Sequence, residues 1–351
     1  MNCMKPLLAI QIFLLLASCV SVRYEEGSSC KYAKYFEVIE EPLSVVVISP
    51  HDGRRDTLAI VKPFGNIICM SSSDVAALSA IGADSVVSAV SGLRYISDPD
   101  IHRRNVPDIG YEACLDYEKI VRIDPDLVVT YAVSGSEPQY VAKLRELGIP
   151  VMILYSHLES HPLARAEYVC LFGALTGRRE EADVFFECVR NRYDSLAAAI
   201  SHKPRVKVLL NAPYGDAWYV PGEDSYMFRL VYDAGGEVLG ARKESAMSSV
   251  ISLEEAYALS QRADVWLNPG HCRTLDELCS LHSLISGFGP VVRNHPVYNN
   301  ILRSTPGGGN DFWESGALRP DIVLEDLMQI FSASDNKIPP ERLNYFIGLN
   351  E

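Results

Sequence analysis

Between residues 65 and 160 short apolar runs alternate with amphipathic stretches. The runs "NIICM", "VVSAV", "DLVVTY" and "PVMILY" read as strands, and "SSSDVAALSAIG", "LDYEKIVRI" and "PQYVAKLRELG" between them read as helices. Strands separated by short helices predict a mostly parallel sheet wrapped by helices. Ahead of this block "LSVVVISP" and "TLAIV" flank the Asp-Gly turn of "HDGRR", which predicts a hairpin over about 44–61. From about 162 to 202 no strand pattern is visible. There Ala182, Phe185, Phe186, Val189, Tyr193, Leu196 and Ile200 recur mostly at three- and four-residue steps, which is one buried helix face, and Gly177 in "LTGRRE" marks a kink or break. With "KPRVKVLLNAP" the alternation resumes: "YMFRLVYDAGG", "ISLEEAYALSQ" and "RTLDELCSLHSLI" read as helices and "ADVWLNPG" as a strand. The expected fold is α/β, with two doubly wound lobes of mostly parallel sheet bridged by a long helical connector.

The front end follows a different logic. "MNCMKPLLAIQIFLLLASC" carries one positive charge, Lys5, before an apolar run from Leu7 to Ala17 that is too short to span a bilayer. A charged start, an apolar stretch of this length and small residues before a cleavage point read as a secretory signal. The expected division is a signal peptide at 1–18, a spacer at 19–40 and an N-terminal lobe with its leading hairpin at 41–160. The helical connector follows at 161–202, then a C-terminal lobe at 203–335 and a tail at 336–351.

Composition narrows the class. The formal charge is -13 and becomes -14 without residues 1–18, so nucleic acid and anionic lipid are poor partners. Nine cysteines suggest a disulfide framework until Cys3 and Cys19 are set aside. The seven that remain are odd in number and scattered, which favours buried thiols.

The two halves are alike in detail. "LDYEKIVRIDPDLVVT" aligns with "SLEEAYALSQRADVWLN", so Glu118 matches Glu254, and the strand-entry acids Asp126 and Asp264 follow at nearly the same spacing. An exposed glutamate on a helix is ordinarily just a solvated residue. Two at one place in each half call for a joint explanation.

Several pieces in order carry a resemblance: "LSAIGADSVVSAVSG", "VPDIGYEACLDYEKIVRIDPDLVVTY", "LRELGIPVMIL", "LFGALTGRREEA", "VYDAGGEVLG", "ISLEEAYALSQRADVWL" and "RPDIVLEDLMQIF". The chain resembles the substrate-binding lipoproteins of ABC importers for iron-siderophores, haem and cobalamin, over about residues 60–330. Leu16-Ala17-Ser18-Cys19 likewise resembles the bacterial lipobox. Acylation of Cys19 would make the protein a membrane-anchored lipoprotein on the periplasmic or cell-surface side, touching the membrane only through its lipid. The resemblance implies that Glu118 and Glu254 dock onto arginines of the ABC permease. It also implies a ligand in the cleft between lobes, where open α/β sheets place their sites. The ligand would be an iron complex, a siderophore or haem, with cobalamin as the alternative, and no resident cofactor or metal is implied.

Loops at the ends of strands supply the candidate lining. The first lobe offers Arg94, Tyr95, Tyr111 and Tyr131, besides Ser72 and Ser73. The second offers Tyr214, Trp218, Tyr219, His271, Phe312 and Trp313. Flat rings with polar edges suit a large planar ligand, and Arg94 suits its carboxylates. Trp218 and Phe312 have a second reading, as plugs between strand and helix. Gly307–Gly309 permit a tight reversal or a close approach.

Other chemistries find less support. His271, Cys272, Cys279 and His282 match no zinc spacing, and their segment reads as a helix burying Leu275, Leu278 and Leu281. His157 and His161 lie four apart, but in a loop before Pro162. A chelatase-like enzyme with His271 and Glu314 as proton acceptors is the alternative of another class, and a surface lipoprotein feeding an outer-membrane receptor is a third. No nucleophile elbow, phosphate loop or dinucleotide fingerprint is present.

Overall fold

The computed structural model describes residues 30–133, 135–200, 204–333 and 338–349. The chain enters through β1 (Phe36–Ile39), β2 (Ser44–Ile48) and β3 (Arg55–Ala59), an antiparallel sheet in the order β1-β2-β3. The hairpin expected over 44–61 is β2 and β3. The spacer expected to reach residue 40 is shorter than that. Backbone N–H groups of Lys31, Tyr32 and Ala33 donate to the Glu167 carboxylate, and those of Lys34 and Tyr35 to Glu159. Buried carboxylates require such donors, so this stretch is fastened to the molecule. β1 then sets Phe36 in the core, 4.6 Å from the Tyr168 ring.

The first lobe is built on β4 (Ile67–Cys69), β5 (Val87–Val90), β6 (Leu127–Tyr131) and β7 (Val151–Leu154), all parallel in the order β5-β4-β6-β7. α1 (Ser72–Ala80), α2 (Pro99–Arg103), α3 (Tyr117–Ile123) and α4 (Gln139–Glu146) connect them. The strands are buried almost throughout, as a parallel sheet covered by other layers requires. α3 ends where Asp124 turns left-handed at φ 51°, just before Pro125.

The connector is three helices rather than one: α5 (Pro162–Ala166), α6 (Tyr168–Thr176) and α7 (Arg179–Ala198). Gly177, at φ 73°, closes α6 in the left-handed conformation that glycine adopts without strain. α7 spans 20 residues, about 30 Å. Its buried face is Ala182, Phe186, Val189 and Tyr193, with Phe185 and Leu196 at the margin.

In the second lobe the chain passes through β8 (Val206–Leu210), β9 (Pro213–Tyr214), β10 (Ala217–Val220), α8 (Tyr226–Asp233), β11 (Gly236–Val238), β12 (Ser249–Ser252) and α9 (Leu253–Ser260). It continues through β13 (Val265–Leu267), α10 (Leu275–Ser280), α11 (Gly289–Val292), β14 (Val297–Asn299), α12 (Ser315–Leu318), α13 (Pro320–Ser332) and β15 (Ile347–Gly348). The main sheet has the order β11-β8-β13-β14-β15, parallel except for the antiparallel edge strand β15. A small antiparallel sheet, β12-β10-β9, stands beside it. The segment expected as a tail therefore completes the lobe. Asp326 on α13 accepts hydrogen bonds from the Asn344 and Tyr345 amides, and Tyr345, Phe346 and Leu349 are buried.

The internal likeness holds in three dimensions. Asp126 enters β6 with its carboxylate accepting from the Asn66 amide while its own amide donates to the Asn66 carbonyl. Asp264 does the same with Lys207 at the start of β13. In each lobe one acid thus ties the entry of a central strand to its neighbour.

Candidate functional site

At the C-terminal ends of the strands a chamber of about 640 Å³ opens between the lobes. Ser72 and Tyr95 line it from the first lobe, and Asn211, Asn268, His271 and Trp313 from the second. Asn211 follows β8 and Asn268 follows β13, at φ 73° and 56°. Asparagine tolerates this left-handed conformation, so each strand turns sharply and leaves a polar side chain at the rim. The Asn268 Oδ1 atom is buried there without a protein partner.

The lobes meet along one edge of the chamber. Thr305 Oγ1 donates to the Arg94 carbonyl at 3.0 Å, and the Glu314 carboxylate accepts from the Ser97 amide at 2.8 and 3.0 Å. Burial pushes the Glu314 carboxyl up to about 7, against the Ser97 hydrogen bond, which favours its charged form. A Cβ at Gly307 would strike the Arg94 carbonyl and one at Gly309 the Tyr95 carbonyl. The triple glycine therefore serves close approach of one lobe's backbone to the other.

Arg94, Tyr95 and Tyr111 come together, and of the three only Tyr95 lines the chamber. The Arg94 guanidinium hydrogen-bonds the Tyr95 hydroxyl and lies 4.6 Å from the Tyr95 ring centroid and 5.9 Å from that of Tyr111. That hydrogen bond draws the Tyr95 phenol below its ordinary range. Asp108 holds the loop by accepting from the Gly92, Leu93 and Gly110 amides. Gly92, at φ 74°, has no room for a side chain beside the two tyrosine rings. Tyr131 is half-buried against His157, and His271 stands exposed at the chamber.

Trp313, 42 % exposed, lines the chamber, but its neighbour Phe312 is fully buried against Tyr345 and Phe346. Trp218 is also fully buried. It lies on β10, not on a loop, packs on Trp266 and Phe288, and donates its indole N–H to the Leu210 carbonyl. The expectation that Trp218 and Phe312 face the ligand is thus corrected. The adjoining small sheet shares an apolar core with the main-sheet strands β8, β13 and β14, where Trp218 fills a gap, and Phe312 belongs to the larger core with Leu318, Val323 and Leu324. Tyr214 and Tyr219 are exposed on that sheet and do not line the chamber.

Beyond Ser72 and Trp313 the chamber continues into an inner cavity of about 230 Å³. Ser71, Ser73, Asp74, His157 and Arg165 form its polar wall. Asp74 is only 4 % exposed, and desolvation raises its carboxyl to about 8. Burial also holds the His157 imidazole below its ordinary value. Sequence reasoning passed over Asp74, His157 and Arg165, because the first two read as an ordinary helix start and a loop and the third sits in the connector. An arginine in a mostly apolar helical stretch, "HPLARAEYVCLFGALTG", is the signal that could have found it.

Glu118 and Glu254 occupy matching places. Each is exposed in the first turn of its helix, α3 or α9, behind an N-cap: Asp116 accepts from the Lys119 amide and Ser252 from the Glu255 amide. Hydrogen bonds from its own amide and from Ser252 hold the Glu254 carboxyl below its ordinary value. α3 leads into β6 and α9 into β13, each strand lying beside the first of its lobe. A helix antiparallel to the strand it feeds begins at the strands' C-terminal edge, so both acids stand at the cleft end of the molecule.

Cys69, Cys114, Cys170, Cys188, Cys272 and Cys279 are free thiols, and among the described residues no group of three or more His, Cys, Asp or Glu side chains is placed to hold a metal ion. In "HCRTLDELCSLH" Leu278 is buried, whereas Leu281 is exposed because α10 stops at Ser280. No described helix is long and apolar enough to cross a membrane. Cys19 lies outside the described residues.

The sequence profile of the family described as periplasmic binding protein matches residues 67–299. The uncharacterized lipoprotein MJ0878 of Methanocaldococcus jannaschii is 27% identical over 281 residues, 76% of this chain and 65% of that relative's own length. Among solved structures, a periplasmic heme-binding protein from Pseudomonas aeruginosa aligns with a TM-score of 0.61 at 17% identity, covering 81% of this chain and 98% of the other. An ABC-type Fe3+-hydroxamate transport system structure from Saccharomonospora viridis aligns with a TM-score of 0.59 at 20% identity, covering 83% and 99%. At this identity the structural likeness establishes the fold.

Proposed function

The chain belongs to the periplasmic binding protein family, and from that premise we propose that it captures an iron complex, a siderophore or haem, between its lobes and delivers it to an ABC importer. The observation that carries this reading is the interlobe chamber of about 640 Å³, within the 300–1,000 Å³ typical of small-molecule sites. Its lining combines Tyr95 and Trp313 with polar groups from both lobes, which suits a chelate with flat faces and polar edges. The heme and Fe3+-hydroxamate proteins that share the fold support the same class of ligand.

Delivery rests on Glu118 and Glu254. A single exposed carboxylate contributes little to affinity, but two held on equivalent helices fix the orientation of docking through charge-assisted pairs with arginines. Anchoring rests on acylation of Cys19, and the lipoprotein from Methanocaldococcus supports it.

Native mass spectrometry of the purified protein with haem, a panel of ferric siderophores and cobalamin tests the ligand. A one-to-one complex with haem or one ferric siderophore is expected. Binding of cobalamin alone replaces the iron complex with a corrinoid, and no adduct with any of them refutes chelate capture.

A further inference from the structure

The inner cavity holds an arginine without an ion-pair partner among the described residues, although the buried Glu159 carboxylate lies near enough to favour its charged form. Arg165, on α5, donates from Nη2 to the His157 carbonyl at 2.7 Å, and its guanidinium lies 3.9 Å from the Tyr226 ring centroid. Its Nε is buried without a partner, and among the described residues it forms no ion pair. An arginine keeps its charge in such a place, and the Glu159 carboxylate favours that charge without pairing with it.

The opposite part of the wall offers donors. α1, nine residues long, begins at Ser71, whose side chain does not cap the helix, and the Ser71 hydroxyl instead meets that of Ser73 at 2.8 Å. The first amides of a helix have no intrahelical acceptor, and its N-terminus favours negative charge. Asp74, in the first turn, lines the cavity with a carboxyl that has no hydrogen-bond partner among the described residues. Desolvation raises that carboxyl to about 8, which favours the protonated form that can donate. The His157 Nε2 atom is buried and unpartnered as well. Phe172 and Leu318 make the remaining wall apolar.

We propose that this cavity is a subsite for one ionised carboxylate on an aliphatic arm of the bound chelate, with Arg165 as its counter-ion and the start of α1 as its hydrogen-bond donor. The inference rests on the reading that the adjoining chamber holds an iron complex, and it narrows that complex to those with a free carboxylate. Arg165 supplies the positive charge that a carboxylate pairs with, and the unpartnered His157 Nε2 atom and the start of α1 belong to the same wall. The shape agrees: donors at the polar wall take the carboxylate, and the apolar wall takes the methylenes. Ser72 and Trp313 line both spaces, so a ligand in the chamber can reach inward between them.

Absorbance titration of the full chain with haemin and with haemin dimethyl ester, in the wild type, Arg165→Lys and Arg165→Gln, reads the carboxylate directly. Haemin is expected to bind at least tenfold more tightly than the ester. That preference should shrink in the lysine variant and vanish in the glutamine one. Equal binding of haemin and its ester to the wild type, or a preference untouched by Arg165→Gln, overturns the subsite while leaving chelate capture intact. A wild-type measurement covers a variant that fails to fold and a protein that takes neither haemin nor its ester. Trp313 borders the cavity, whereas Trp218 and Trp266 are fully buried, so its fluorescence reports entry of a small probe. Saturable quenching by millimolar butyrate but not by butyramide upholds the subsite, and no difference between the two overturns it.

Discussion

Trp218 and Trp313 look alike in the sequence, each a tryptophan beside glycine- and aspartate-rich turns. Their surroundings separate them, since one is sealed between Trp266 and Phe288 and the other borders the chamber. Trp218→Ala should cost about 3 to 5 kcal/mol of folding stability in denaturant titration, the usual loss for emptying a large aromatic site. Trp313→Ala should leave stability nearly unchanged and weaken chelate binding several-fold, in line with about 0.5 to 1.5 kcal/mol for a stacked ring beyond its burial. A stable Trp218→Ala protein with reduced affinity would restore that residue to the ligand. The sequence cannot make this distinction, because burial of a ring depends on β10 pairing with β12, a contact across some thirty residues of chain. That Arg94 and Tyr95 sit on a loop was legible because this loop follows an unmistakable strand, β5.

At the scale of elements, the strong patterns became the elements they imply: β4, β5, β6, β7, β8 and β13 as strands, α1, α3, α4, α8 and α9 as helices. Among the elements that escaped are β9, β11, β14 and β15, two or three residues each and too short to show a period. β1 and β15 fall where a spacer and a tail were expected, and both are held by distant carboxylates, Glu159 and Glu167 at one end and Asp326 at the other. The contact between the loops around Ser97 and Glu314 has a pH dependence whose sign follows from burial. The Glu314 carboxyl rises from the ordinary 4.5 to about 7, so the folded state favours its protonated form. That contribution is complete below about pH 4.5 and is lost as pH rises through about 7. Between pH 5 and pH 8 the melting temperature of the wild type should therefore fall by more than that of Glu314→Gln. The same fall in both would place the titration elsewhere, at Asp74, Glu159, Glu167 or Asp326, which burial also raises.

Across the whole molecule, two lobes with matching strand-entry acids are joined by a connector that packs against both and against β1. Such a frame resists wide opening, because α7 is a continuous hydrogen-bonded helix and shares its buried face with the core. Glu118 and Glu254 then keep nearly constant separation, and reversing both to arginine should abolish permease-stimulated ATP hydrolysis while chelate affinity stays within about twofold, a change of ~0.4 kcal/mol. Unimpaired stimulation would return both residues to ordinary solvated helix acids. Whether a chelate occupies the space between the lobes is decided by filling that space. Absorbance titration of the wild type and Ser72→Trp with the chelate that binds should show one-to-one saturation in the first and no saturable binding in the second, both proteins melting cooperatively. Equal affinity in the two would contradict the account, because the ligand would then lie outside the chamber.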